Sequence, residues 1–169
     1  MELWDAYDKD FTLIKGTTIR RDEVDKIPEG VYHLVCLVLV KHTDGTYLLM
    51  RRDPNKKVCP GLWEATAGGS ALQGESKLEA AKRELREETG IEGELTEIGR
   101  SIGRNSVNIY YLCVTDCSKG SITLQEGETT DYRWVERETL FSMTEDELLG
   151  MTMLSFAKER EAHEHQEGT

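Results

Sequence analysis

Glu75, Glu79, Glu84, Glu87 and Glu88 crowd the stretch GGSALQGESKLEAAKRELREETGI, Gly68 to Ile91. Residues three and four apart share a helix face, so a helix here aims Glu84, Glu87 and Glu88 the same way. Like charges so placed repel, and only Arg83 and Arg86 lie nearby to answer them. A solvated helix laced with ion pairs is the plain alternative. It leaves the glycine-rich approach and the shortage of nearby cations unexplained. Clustered carboxylate oxygens suit a hard cation, Mg2+ or Mn2+, and such a partner makes the crowding tolerable.

The elements that must position these groups can be read around them. Ser76 and Glu79 form a capping-box pair and Gly90 is a natural stop, so the spacing predicts a helix from Ser76 to about Thr89. Leu78, Ala81 and Leu85 give it an apolar stripe to dock on a sheet. Arg83 stands within reach of Glu79 and Glu87, each four residues away. Upstream, VYHLVCLVLVK is apolar almost throughout, as a strand covered on both faces requires. HTDG joins it to a second strand, TYLLMRR, in a hairpin. RRDPNKKVCPG is a basic loop, and LWEATAGG a short strand running into glycines. Further strands follow at ELTEIGRSIG, NSVNIYYLCVTD and TTDYRWVE, and one or two helices close the chain within TEDELLGMTMLSFAKEREAH. This order implies an α/β layered domain. Residues 1–30 are expected to form a hairpin, turning at Asp8-Lys9-Asp10, and a connecting arm packed on the domain. Residues 31–162 are expected to form the domain itself, and 163–169 a flexible tail.

Composition narrows the partners. A chain of 169 residues suffices for one domain with a real core. A net charge of −11 and a pI near 4.9 disfavour a nucleic acid polymer or an anionic membrane as partner. A small phosphorylated ligand remains compatible, because a metal or local basic groups reverse the field where it binds. No run approaches the roughly 20 apolar residues of a membrane span. The acidic start MELWDAYDKD has no apolar leader core. Cys36, Cys59, Cys113 and Cys117 lack zinc-like spacing and read as reduced thiols, Cys36 within an apolar run. A cytoplasmic setting is the expectation.

From Gly69 onward the stretch resembles the Nudix box without gap or mismatch. That box is Gly, five residues, Glu, seven residues, then Arg-Glu-aliphatic-any-Glu-Glu-any-Gly-aliphatic. Gly69, Glu75, Arg83, Glu84, Leu85, Glu87, Glu88, Gly90 and Ile91 fill it. With seven fixed residues, a chance match is rarer than about one in 10⁸ per start position. LLMRR, PGLWE and EGETTDYRWVERETL resemble the flanking segments of that family. The resemblance implies a Nudix-type α/β/α sandwich with a mixed central sheet and a loop-helix-loop catalytic motif. It implies hydrolysis of a nucleoside diphosphate linked to another group X, or of a related small diphosphate. It makes Glu84, Glu87 and Glu88 metal ligands, with the Gly69 carbonyl beside them, and has Arg83 orient the carboxylates.

The chemistry agrees with that assignment. A diphosphate repels an anionic nucleophile, so a metal must neutralise phosphate oxygens and acidify a water, and a carboxylate must take the proton. Glu87 or Glu88 is the nearest such base inside the box. The family often draws a base or ligand from a later loop; Glu128 occupies that place here, with Glu126 as a rival and ordinary turn carboxylates as the plain reading. Arg51 and Arg52 alternate at a strand end, so one faces the cleft and holds a substrate phosphate. Lys56 and Lys57 read as solvated, and Trp63 as a packing residue. Homodimers are common in the family.

LWDAYD, PEGVYHLVCLVLV and KKVCPGLWEATAGGS are similar to the isopentenyl diphosphate isomerase branch of the same superfamily. Those isomerases present a catalytic Cys and a metal-binding His where this chain has Gly68, Gly69 and Ser70. Cys59 lies nine residues earlier and is no substitute by motif, and His33 reads as a strand histidine. Hydrolysis is the expectation. An isomerase-like enzyme and a non-catalytic nucleotide-binding module are the alternatives.

Overall fold

The computed structural model describes residues 1–168, and Thr169, within the expected tail, lies outside the described residues. A short hairpin of β1 (Leu3–Tyr7) and β2 (Leu13–Arg20) comes first. A 3-10 helix over Arg21–Lys26 follows it. The centre of the fold is β3 (His33–His42), which pairs in parallel with β8 (Ser106–Thr115) along its whole length. On its other side β3 meets β4 (Tyr47–Arg52) and β6 (Thr66–Ser70), both antiparallel. β5 (Trp63–Glu64) and β9 (Thr129–Val135) extend the sheet from β4, and β7 (Leu95–Ile102) from β8. β10 (Leu148–Leu149) adds a parallel edge to β5. The sheet is therefore mixed.

Side chains alternate across a strand, and the three central strands are apolar on both sides. Leu34, Cys36, Val38 and Val40 of β3 pack with Leu48 and Met50 of β4 and with Val107, Ile109 and Tyr111 of β8 on one face. The helix α1 (Lys77–Thr89) covers that face with Ala80, Ala81 and Leu85. On the other face Leu39, Tyr47, Leu49, Tyr110 and Leu112 pack under α2 (Arg137–Ser142) and α3 (Thr152–Glu167). The architecture is an α/β/α sandwich. A third cluster, of Trp4, Ala6, Ile19 and the partly buried Leu72, seats the N-terminal hairpin beside α1's approach loop.

Four features go beyond or against the reading of the sequence. β3 and β4 share only the Lys41–Tyr47 pair, because β6 takes up the β3 edge from Val35 to Leu39. One closing helix stands in the expected segment and begins at Thr152, since Leu148–Leu149 is drawn into the sheet edge and Gly150 turns the chain at φ 83°. α2 was not foreseen. Finally, residues 163–167 continue α3 rather than forming a tail, because no helix breaker precedes Gly168 and Arg160 pairs with Glu164 one turn on.

Candidate active site

The acidic helix is fixed at both ends by its own sequence. The Glu79 N–H donates to Ser76 Oγ at 3.2 Å and the Ser76 N–H to Glu79 Oε2 at 2.8 Å, a complete capping box. Gly90 closes the helix in the left-handed conformation at φ 79°. Glu79 is thereby spent on the cap and does not meet Arg83. Leu78, read as part of the docking stripe, is 40% exposed, and Ala80 takes its place against the sheet.

Arg83 organises the carboxylates. Its Nε and Nη2 donate to the two oxygens of Glu75 at 2.6 and 3.0 Å. Nη1 reaches Glu84 at 2.7 Å and Glu87 at 3.3 Å, and Nη2 also reaches the Ser70 carbonyl at 3.2 Å. The Arg83 contact pulls the Glu75 pKa below the usual range, helped by the Leu72 N–H. With Glu75 as its main partner, Arg83 stays charged. It thus joins the loop before the helix to the helix face.

Glu88 sits deepest. It accepts a 3.3 Å hydrogen bond from the Gly68 N–H, and burial raises its pKa well above the usual carboxylate value, with the charges of Glu64 and Glu84 adding to the effect. Burial also raises Glu84 against the pull of Arg83, and Glu64 against that of Arg52. These carboxylates lack enough compensation for their charge.

Two glycines make room for this arrangement. A Cβ on Gly69 would lie 2.7 Å from Glu84 Oε1, and one on Gly68 would collide with the Cys36 carbonyl oxygen. The ladder also bears on the carbonyl expected of Gly69. Gly69 opposes Cys36 in the same phase as Ala71 and Leu34, whose N–H···O bond is 2.8 Å, so the Gly69 peptide faces β3. The peptide N–H turned toward Glu88 belongs to Gly68. Gly69 contributes space.

Glu84, Glu87 and Glu88 line a cleft of about 470 Å³ together with Glu64, Glu128, Arg52, Lys56 and Arg83. Parity decides between the two strand-end arginines. Arg52 follows Leu48 and Met50 on the α1 face and pairs with Glu64 at 3.1 Å. Arg51 falls on the opposite face, over the Trp63 ring, with its Nε on the Gly61 carbonyl, and is absent from the cleft. Glu128 lines the cleft and Glu126 does not. Lys56, read as solvated, instead points inward and pairs with Glu128, whereas Lys57 is exposed.

Sequence reasoning passed over Glu64, Glu2 and Arg21, which also line the cleft. The hairpin held a signal for the last two. Leu3 pairs with Arg20, so the next pair outward is Glu2 and Arg21, opposite charges at matched positions. Lys56 and Glu128 lie on loops far apart in sequence, and no local pattern joins them.

Six carboxylates and four cationic side chains line the cleft, a formal surplus of two negative charges. Among the described residues no three acidic, histidine or cysteine groups already stand at the spacing of ligands on one ion. Arg83 holds Glu84 and Glu87, Arg52 holds Glu64, and Lys56 holds Glu128. The donor set nevertheless fits a hard divalent cation: its side-chain donors are carboxylate oxygens, and the surplus charge equals that of one such ion.

The NUDIX domain model matches residues 31–151. An uncharacterised Nudix hydrolase of Listeria innocua is 32% identical over 143 residues, which are 83% of this chain and 83% of that protein. A nucleoside triphosphatase of an Enterobacter species is 31% identical over 70% of this chain and 92% of its own length. A crystal structure of a Deinococcus radiodurans protein superposes with a TM-score of 0.67 at 20% identity, covering 83% of this chain and 87% of that one.

Proposed function

Because the chain belongs to the Nudix hydrolase family, whose members cleave diphosphate bonds, we propose that it splits the diphosphate of a small substrate with Mg2+ or Mn2+ held in this cleft. The substrate class is a nucleoside diphosphate linked to X, or a related compound. The observation that carries the reading is the uncompensated cluster of Glu64, Glu84 and Glu88, with carboxylates in surplus over cations. When bound, the metal neutralises phosphate oxygens and lowers the pKa of a water. Glu84, Glu87 and Glu88 hold it, and Arg83 keeps the first two in position. Glu128, on the far loop with Lys56 as its partner, takes the proton of the attacking water. Arg52 and Lys56 bind the phosphates. The nucleoside triphosphatase among the relatives supports a phosphorylated nucleotide as substrate. A cytoplasmic location accompanies this reading, and no described helix is long and apolar enough to cross a membrane.

A second reading follows from the likeness to isopentenyl diphosphate isomerases. It requires a nucleophilic thiol in the cleft. Among the described residues no cysteine lines it, and Cys36 is buried with its pKa pushed up to about 12 by that burial. The hydrolytic reading is favoured. Its direct physical test is thermal: a metal that binds only the folded protein stabilises it by about 2.7 kcal/mol at 100 times its Kd. Millimolar Mg2+ or Mn2+ is expected to raise Tm, and an unchanged Tm would count against the metal site.

A further inference from the structure

The N-terminal hairpin lies outside the matched family domain, residues 31–151, yet it walls the cleft with Glu2, Trp4 and Arg21. It is tied to the catalytic loop: the Gln73 N–H donates to the Leu3 carbonyl at 2.9 Å and the Gly74 N–H to Asp5 Oδ2 at 2.8 Å. Trp4 is buried and stacks on His33 at 4.3 Å. Its indole N–H donates to Glu2 Oε1 at 2.7 Å, while Glu2 Oε2 accepts from Arg21 Nη1 at 2.9 Å. A buried ring therefore fixes a carboxylate, which fixes a guanidinium at the rim.

The cations of the cleft differ in what remains free on them. Arg83 serves three carboxylates and a carbonyl, Arg52 serves Glu64 and the carbonyls of Val58 and Cys59, and Lys56 serves Glu128. Arg21 donates from Nη1 alone, and among the described residues its Nε and Nη2 have no partner. Its side chain is 64% exposed. β6 (Thr66–Ser70) lies between Glu64 before it and Leu72 after it; the Gln73 N–H on the Leu3 carbonyl and the Arg21 N–H on the Glu2 carbonyl hold Arg21 toward the Leu72 end, away from Glu64 and its partner Arg52. An arginine with two donors free, held at the far end of a phosphate-binding cleft, is built to take another phosphate.

We propose that the N-terminal hairpin is the specificity wall of this enzyme, with Arg21, positioned by Glu2, binding a phosphate beyond the two that flank the scissile bond. This rests on the hydrolytic reading above and adds to it that substrates with a third phosphate are preferred.

The test compares kcat/KM of the full-length protein with Mg2+ on a nucleoside triphosphate and the diphosphate of the same base. Wild type, Arg21→Ala, Arg21→Lys and a control, Arg20→Ala, are compared; Arg20 is exposed, pairs with Asp22 and is outside the cleft. Arg21→Ala should cut the triphosphate preference about tenfold through KM, Arg21→Lys should restore part of it, and Arg20→Ala should keep it. An unchanged preference in Arg21→Ala, or equal losses on both substrates, overturns the proposal. Wild type that turns over neither compound but cleaves another nucleoside diphosphate derivative overturns the preference, and wild type that cleaves no diphosphate at all counts against the hydrolytic reading instead. Calorimetric binding of inorganic triphosphate and pyrophosphate then still decides the role of Arg21: selective loss of triphosphate binding in Arg21→Ala supports it, and equal binding to both proteins refutes it.

Discussion

Arg83 grips Glu75 through two nitrogens, at 2.6 and 3.0 Å, across eight residues of sequence. This fork holds the approach loop against the helix and leaves Nη1 free to set Glu84 and Glu87. Lysine cannot reproduce it, having a point charge and no planar fork. Arg83→Lys is expected to lower kcat on the order of 100-fold, the usual cost of misplacing a catalytic group by about an ångström. Steady-state kinetics on any turned-over diphosphate would check it; kcat close to wild type would show that the fork is dispensable.

Glycine at 68 and 69 serves two separable purposes. The Gly69→Ala methyl would press on Glu84 at 2.7 Å, a side chain that can move, so the fold should survive while activity falls roughly 100-fold. The Gly68→Ala methyl would meet the backbone of β3, so stability should fall by about 1–3 kcal/mol. Melting curves and kcat/KM for the two variants should separate in that order.

His33 gives a pH signature. Burial lowers its pKa from 6.5 to about 4, while its Nδ1 lies 3.0 Å from Ser70 Oγ. A histidine kept neutral by the fold contributes its full stability above the unfolded value. That contribution is lost as pH falls from about 6.5 toward 4, amounting to about 3 kcal/mol. His33→Gln should flatten this part of the slope. Denaturant melts of both proteins across that range test it, and parallel curves would refute the assignment.

Glu161 anchors α3 from the face opposite the cleft. It is buried, accepts from Tyr47, and pairs with Lys41 at 3.2 Å and with Arg137. Glu161→Ala leaves a buried phenol and two cations without their carboxylate, at an expected cost of about 3 kcal/mol. Activity measured well below Tm should be retained. A variant as stable as wild type would show that this network is marginal.

What the sequence disclosed followed from how local each cause is. Ser76, Glu79 and Gly90 act within one helix, so its bounds were legible, and the near-continuous apolar run VYHLVCLVLVK foretold a strand covered on both faces. Arg52 over Arg51 is a matter of parity, decidable only once the face carrying α1 is known. The Lys56–Glu128 pair needs two distant loops to meet, and no periodicity reports that. α2 has six residues and no side-chain cap, and β10 exists through its pairing with β5. Neither carries its own signal.

The most direct test of the account is hydrolysis itself. Product release from a panel of nucleoside diphosphate derivatives and triphosphates would be followed with Mg2+ for wild type, Glu88→Gln and Glu128→Gln. The account predicts cleavage by wild type and its loss in both variants, with the metal-induced rise in Tm lost in Glu88→Gln but kept in Glu128→Gln. Cleavage that persists in Glu88→Gln would contradict it, because the carboxylate cluster would then not be the site of the chemistry.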